Sequence, residues 1–493
     1  MFRKVVLLFV CFLWGKMAAQ SGYPCGNDDH SQHQWLPRYL ENIRSSQNTN
    51  VPRAEVLYIP VAFQLVARTN TAGRAATWRA LEVLCEMNEM FAPLGFRFYL
   101  RKGGIFFLNH DGIFNDHELA SNQQTMRGNR VDSAVNIFVV NQIASGAVGY
   151  YDSGDDWIVV RRDVFKLGNK TTTHEMGHFF SLLHPHYGWD AVAWNAQIHG
   201  NPAPAIASDG ITPTERADSS NCTIAGDKLC DTPPDYNFGL SWQQSCQYEG
   251  VAMDPSGLPV DPDESLIMSY FQDSCRNRFS AEQTALMQAD FQNPVRAYLH
   301  SEYLPITDTL QDTPLLISPA GGVSLPGNEL VFSWGKVPGA KYYYVEVDRS
   351  TTFGLEPKGI ITTDTTAVFS QAWLEDKTYY WRVFAYNDSY TCAPPSTVGT
   401  FEVNIVSGIN DWSETFFRVE QAAGSREITL YFSTLKPDNI HLKMLNLNGQ
   451  ICFETTFFLP PGDQKRILSL DFLPAGIYLL TSPHSAGKVI CLY

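Results

Sequence analysis

The sequence predicts an α+β domain followed by two all-β sandwich units. Three observations predict it. Strand-like runs alternate with amphipathic helix candidates up to about residue 300. Short aromatic strands separated by turn residues follow from about residue 330. The length of 493 residues exceeds one ordinary domain and sets a soft prior of about three. Apolar residues make up 44%, charged 18% and aromatic 13%, a composition that folds and excludes wholesale disorder or coiled coil. The net charge is -15, with 36 Lys+Arg against 51 Asp+Glu and no basic run, so no nucleic-acid partner is expected. That balance suits a secreted protein carrying calcium sites.

The N-terminus reads as an export signal over 1–19. Arg3 and Lys4 precede the apolar run Val5 to Trp14, and Ala18-Ala19 offers a small-residue cleavage site. The run is about half the length of a bilayer-spanning helix. No 18-residue apolar stretch follows, so no transmembrane segment is expected in the mature chain. Residues 20–53 are polar and weakly patterned, and little there is expected to bury a core. They read as a pro-segment, with Arg53-Ala54 as a candidate cut.

From Glu55 the texture changes. Val56 to Val66, Phe96 to Leu100, Val135 to Val140 and Trp157 to Val160 are strand candidates. Thr77 to Phe91 places Ala80, Val83, Leu84, Met87, Met90 and Phe91 on one helical face. Lys170 to Leu183 is a second helix candidate and Ala281 to Leu299 a third. Residues 186–263 are rich in Asp, Asn, Gly and Pro, and such long loops need staples. Cys222, Cys230, Cys246 and Cys275 cluster there as a local disulfide set. Cys85 lies with Trp78 and Leu81 on a second apolar strip and reads as a buried free thiol rather than a partner for Cys25.

The chemistry is concentrated in His174-Glu175-Met176-Gly177-His178, with His184 six residues on. Histidines four apart share one face of a helix and can bind one zinc ion. Glu175 is adjacent and can accept a proton from an attacking water. His184 can return as third ligand if the chain turns after the helix, leaving an open metal position. A chance motif of the first two histidines and the Glu is on the order of one in a hundred for this chain.

The extended motif resembles that of the metzincin metallopeptidases. Cys222 to Pro233 (with Gly226-Asp227 and Asp231-Thr232-Pro233), Ile267-Met268-Ser269-Tyr270 and Asp273-Ser274-Cys275 narrow the resemblance to the pappalysin family, over about 54–303. The resemblance implies an α+β metzincin domain, with mixed sheet, active-site helix and disulfide-stapled loops, acting as a zinc endopeptidase on protein or peptide substrates. It implies Met268 as the Met-turn floor beneath the imidazoles and Tyr270 as the donor that stabilises the oxyanion. It implies calcium at Asp227, Asp231 and Thr232, disulfides Cys246–Cys275 and Cys222–Cys230, and a preference for a basic residue from Asp273. Cys25, in Tyr23-Pro24-Cys25-Gly26, resembles a pro-segment cysteine that occupies the open zinc position in a latent precursor.

One departure matters. Ser181 stands where the family has a glycine in the left-handed conformation, which costs a serine about 1–2 kcal/mol. His186 is therefore an alternative third ligand to His184, and a degenerate, adhesive protein is the rival function. A purely structural zinc site would need a fourth ligand in the mature chain.

Residues 314–405 resemble a fibronectin type III module with Trp334 and Tyr380 as core aromatics. Residues 409–493 resemble the C-terminal sorting domain of type IX secretion, on Leu445-Asn446-Leu447-Asn448-Gly449, Leu473-Pro474-Ala475-Gly476-Ile477-Tyr478 and Lys488-Val489-Ile490. That resemblance implies the type IX machinery as a partner, and release from, or attachment to, the surface of a Gram-negative bacterium.

Overall fold

The computed structural model describes residues 25–26, 36–46, 56–319 and 321–492, apart from 327–328, 356, 371–374, 376, 405–414, 422–424, 435–436, 447–448 and 483–484. The export segment 1–19, the Arg53-Ala54 bond and Leu447-Asn448 lie outside the described residues. The chain divides into two compact units, 1–404 and 405–493.

In the first unit, helix α1 (Leu36–Ser46) precedes strand β1 (Leu57–Ala67), α2 (Trp78–Phe91) and β2 (Phe96–Asn109). The short helices α3 (Asp111–Asn115) and α4 (Ala120–Gly128) lead to β3 (Val135–Val140), β4 (Gly149–Asp152), β5 (Trp157–Arg161) and α5 (Thr171–Phe179). The strands form one sheet in the order β2-β1-β3-β5-β4. All neighbours are parallel except β4, which runs antiparallel to β5 at the edge. β3 is buried throughout and β1 nearly so, as parallel strands covered on both faces must be. On one face Ile59, Val61, Ile137 and Ile158 pack with α2 and α5 residues such as Leu84, Met87 and Phe179. On the other, Val66, Phe138 and Trp157 pack with Phe114 of α3 and Met126 of α4. β4 escaped the strand prediction because four residues carry too little pattern.

The expectation that 20–53 buries little is overturned. Leu36, Tyr39, Leu40 and Ile43 of α1 recur at helical spacing and pack on the core, with Tyr39 wholly buried. α1 lies against α7 (Ala281–Gln292), where Arg38 pairs with Asp290 at 2.9 Å and Asn42 Nδ2 donates to Asp290 Oδ1 at 2.7 Å. Between α5 and α7 the chain is loop, broken by α6 (Ala196–His199) and a 3-10 turn at Phe238–Leu240. These loops carry their own small core of Trp189, Tyr236, Phe238, Val260 and Phe271. Disulfides Cys222–Cys230 and Cys246–Cys275 close them. α7 begins at a capping box of Ser280 and Gln283, and Asn293-Pro294 converts its continuation into a 3-10 turn.

The sandwich that follows pairs two sheets. One runs β10 (Lys358–Thr362), β9 (Tyr342–Asp348), β12 (Thr378–Tyr386), β13 (Gly399–Asn404), β7 (Val323–Pro326). The other runs β11 (Thr366–Ser370), β8 (Glu329–Trp334), β6 (Leu316–Ser318). Trp334 is buried, but Tyr380 is not a core residue: Tyr379 and Trp381 are buried instead. Side chains alternate along a strand, so a register error of one residue moves an aromatic to the other face.

Cys85 is not a free thiol. It is bonded to Cys392, with Cα atoms 5.1 Å apart across 307 residues of sequence. Nearby, Thr391 Oγ1 donates to Leu81 O at 2.7 Å and Asn88 Nδ2 to Ser389 O at 3.1 Å. The sandwich is therefore fastened covalently to α2. An apolar strip on a helix predicts burial, and it holds no information about which distant thiol covers it.

The second unit packs β14 (Thr415–Gln421), β15 (Glu427–Thr434) and β18 (Gly462–Ser469) as one sheet. β17 (Ile451–Leu459), β16 (Asp438–Leu445), β19 (Gly476–Ser482) and β20 (Ser485–Leu492) form the other. Its core is Ile428, Leu430, Ile440, Leu442, Met444 and Leu480.

Candidate metal centre

The centre is built on α5, all nine residues of which are buried. Its N-terminal approach is held by Asp273, whose Oδ1 accepts from Lys170 N at 3.1 Å and Oδ2 from Asn169 Nδ2 at 2.8 Å. At its C-terminus the buried Arg296 donates to Phe179 O, a carbonyl the helix itself leaves unsatisfied. Arg296 is held by Asp290 Oδ2 at 2.8 Å and Asp156 Oδ1 at 2.6 Å. Gly177 in mid-helix has a packing reason: a Cβ there would lie 2.3 Å from Met268 Sδ. Met268 is thus pressed against the helix, wholly buried.

The helix ends at Phe179, earlier than the expected Leu183, because Ser181 adopts φ 63°. The serine makes the turn that a glycine would. Its hydroxyl donates to Asp290 Oδ1 and accepts from Asn42 Nδ2 at 3.2 Å, which offsets part of the cost of the left-handed backbone.

After that turn His184 comes back to the helix. His174 Nε2 and His178 Nε2 lie 3.1 and 2.9 Å from His184 Nε2. Each Nδ1 has its own acceptor: Ile267 O at 2.9 Å for His174, Leu182 O at 2.8 Å for His178 and Asp190 Oδ1 at 2.6 Å for His184. Those bonds place the ring proton on Nδ1 and aim three Nε2 lone pairs at one point. Tetrahedral zinc with N ligands spaces them about 3.3 Å apart, so the donor set fits zinc. Burial, then the charges of His178 and His184, push His174 well below the ordinary imidazole range, which favours the neutral, ligating form. His186 does not join them. Its ring stacks behind His184 at 4.6 Å and faces Asp235 and Asp190 at 3.7 and 3.9 Å.

Asp190 escaped the sequence reading. It is wholly buried, and its second oxygen accepts from Gly188 N at 2.8 Å. Nothing in the spacing separates it from other loop acids.

Glu175 is wholly buried on the same helix, and Cys25 lies against it with Sγ 3.6 Å from Oε2. Cys25 Sγ and the three imidazoles are near enough to hold one ion, all ligand atoms being within 4.8 Å of one another. Its backbone bridges Gly149 on the edge strand β4. Tyr270 packs at 5.8 Å from the His174 ring and 4.9 Å from that of His184. Arg276, also unforeseen, is buried beside them and pairs with Asp273. Asp273, expected to face a basic substrate residue, is paired here with Arg276, Lys170 N and Asn169 Nδ2.

Of the expected calcium ligands, Asp227 and Thr232 sit together, Thr232 Oγ1 donating to Asp227 Oδ1 at 2.8 Å. Asp231 does not join them. It caps α7, accepting from Ser280 Oγ at 2.7 Å and Glu282 N at 2.8 Å. In its place stands Glu215, which the sequence reading passed over. Glu215 Oε2 and Asp227 Oδ2 are buried acceptors without a hydrogen-bond partner among the described residues. Burial, reinforced by their mutual charge, pushes Glu215 up to about 10; burial pushes Asp227 up to about 7. Two buried carboxylates with open lone pairs are a donor set for a hard cation.

No protein-family model matches the chain. Two curated proteins described as extracellular metalloproteases are similar to it. The one from Pyricularia oryzae is 26% identical over 301 residues, covering 56% of this chain and 90% of that protein. The one from Colletotrichum graminicola is 26% identical over 326 residues, covering 60% of this chain and 100% of that protein. Among solved structures, Tannerella forsythia promirolysin mutant E225A aligns at 17% identity and a TM-score of 0.35, over 56% of this chain and 96% of that one. The similarity to extracellular metalloproteases supports a metallopeptidase acting on protein substrates. No described helix is long and apolar enough to cross a membrane.

Proposed function

We propose that the chain is a secreted zinc endopeptidase of the pappalysin type, made as a latent precursor. The observation that carries the reading is the convergence of three Nε2 atoms beside the buried Glu175. His174, His178 and His184 would hold the ion. Zinc there supplies Lewis acidity and lowers the pKa of a bound water to about 7. Glu175 takes the proton of the attacking water and returns it to the leaving amine. Tyr270 donates to the carbonyl oxygen as it gains charge. Asp190, Ile267 and Leu182 keep the imidazoles in the ligating tautomer. In the full-length protein freed of its latency by Cys25→Ala, adding Glu175→Ala is expected to keep zinc and lose cleavage; retained cleavage would overturn the mechanism.

Cys25 is read as the latency element; its thiol, within 4.8 Å of the three ligating nitrogens, would fill the metal's open position. Asp227, Thr232 and Glu215 are read as a calcium site, supported by the two acids' buried carboxylate oxygens, unpartnered among the described residues. The second unit is read as the sorting domain for type IX export from a Gram-negative bacterium, supported by its separate core. Removing 405–493 should leave the protein inside the cell envelope, and undiminished release would refute that role.

A further inference from the structure

We infer that the trough between strands β2 and β10 is a docking site for an acidic, extended polypeptide segment. It shares no lining residue with the hollow at the metal centre, and the inference does not depend on the peptidase reading. β2 ends the first sheet and β10 ends the larger sheet of the sandwich. Each therefore leaves one row of backbone N–H and C=O groups unused by its own sheet. Between them lie two adjoining hollows of about 380 and 620 Å³. Phe107 of β2 and Gly359 and Ile360 of β10 line both, which makes them one continuous trough. The Cys85–Cys392 bond fastens the sandwich to α2, so the two walls are tied together before anything binds.

The charge of the trough sets the class of ligand. Arg74, Lys102 and Lys358 line it, and among the described residues no carboxylate does. The chain has 51 Asp+Glu against 36 Lys+Arg, so a purely cationic lining runs against its composition. No described acid forms an ion pair with any of the three. Lys358 Nζ donates to Thr71 Oγ1 at 3.2 Å, and the Arg74 guanidinium donates to Asn109 Oδ1. That guanidinium also lies over the Phe107 ring, 4.4 Å from its centre. These neutral partners hold the cations in place without cancelling their charge. Phe107 and Val368, 40% and 52% exposed, add apolar surface to the same lining. An acidic strand matches all three features. Its carboxylates meet the cations, its alternate apolar side chains meet Phe107 and Val368, and its backbone meets the strand edges. Two hollows end to end suit a chain better than a small anion.

The test is fluorescence anisotropy on the full-length chain with Cys25 in place. The probe is a labelled peptide of about ten residues that alternates Glu and Val, compared with one that alternates Lys and Val. A net charge of -15 by itself favours the Lys peptide. The Glu peptide is nevertheless expected to bind about tenfold tighter or more. Equal binding or a preference for the Lys peptide overturns the inference. Lys102→Glu with Lys358→Glu should weaken the Glu peptide about tenfold or more. Lys166→Glu with Lys336→Glu makes the same change in net charge at exposed positions outside the trough, and should leave affinity within about twofold. Equal loss from both pairs would assign binding to overall charge and overturn the site. If the Lys358 change disturbs folding, Lys102→Glu alone, at an exposed position, should still weaken binding by about threefold, and unchanged affinity overturns the inference. Free glutamate at the peptide's own concentration should not compete; competition would reassign the trough to a small carboxylate. No step requires zinc or cleavage, so failure here leaves the peptidase reading standing, and an inactive enzyme leaves this site standing.

Discussion

Asp190→Asn should weaken zinc binding while the metal-free chain still folds, at reduced stability. In the structure Asp190 Oδ1 accepts from His184 Nδ1 at 2.6 Å and Oδ2 accepts from Gly188 N at 2.8 Å. Both side chains are buried, at 1% and 0% exposure, so water cannot replace a lost partner. Asparagine has the same shape but only one acceptor. With its oxygen toward His184, its NH2 faces the Gly188 N–H, donor against donor. Flipped, its NH2 faces His184 Nδ1 and drives the ring proton to Nε2, the atom that must ligate. Either arrangement forfeits a charge-assisted hydrogen bond, about 1.5–3 kcal/mol. An outer-shell change of this kind weakens metal binding about 10–100-fold, and the two figures agree. The assay is zinc titration of the full-length chain against a chromophoric chelator, with thermal unfolding of the metal-free chain as control. Zinc affinity within about twofold of the parent would refute the argument that Asp190 sets the tautomer of His184.

Further outcomes follow from other contacts. Cys25→Ala in the uncut full-length chain should raise peptide cleavage about tenfold or more, because the thiol no longer fills the open position; unchanged activity would remove Cys25 from latency. Calcium at about 100 times its dissociation constant should stabilise the protein by about 2.7 kcal/mol in unfolding experiments. Glu215→Gln should diminish that gain, and an undiminished gain would place calcium elsewhere. Burial lowers His117 from 6.5 to about 4, with Nε2 2.9 Å from Tyr150 Oη. The folded state then binds fewer protons than the unfolded one between those values. Stability present above pH 6.5 is lost as pH falls to about 4, by about 3 kcal/mol. His117→Gln should flatten that slope in denaturant titrations, whereas equal slopes for both proteins would assign the loss to other groups.

The parts of this protein that depend on local spacing were legible in the sequence. The four-residue spacing from His174 to His178 puts two imidazoles on one helical face whatever surrounds them. Runs such as Val135 to Val140 are too short for a helix and rich in β-branched and aromatic residues, which reads as a buried strand. At Ser181 the sequence left open a strained left-handed backbone or another turn that would bring in His186, and the structure adopts the first. α1 was missed because its apolar face is only Leu36, Tyr39, Leu40 and Ile43, and a helix of eleven residues is stable only where a partner surface exists. Tyr380 was misplaced by one residue because three aromatics in succession hide the alternation.

What the tertiary structure alone decided are the partners of groups distant in sequence. Asp190 against His184, Arg276 against Asp273, Asp231 on the cap of α7 and Cys85 with Cys392 each depend on where loops of irregular length end. Loop paths are set by the sum of many weak contacts, not by a period, so a buried charge finds its counter-charge only once the chain is packed. The same sequence determines both kinds of feature, but only the first can be read one turn or one strand at a time.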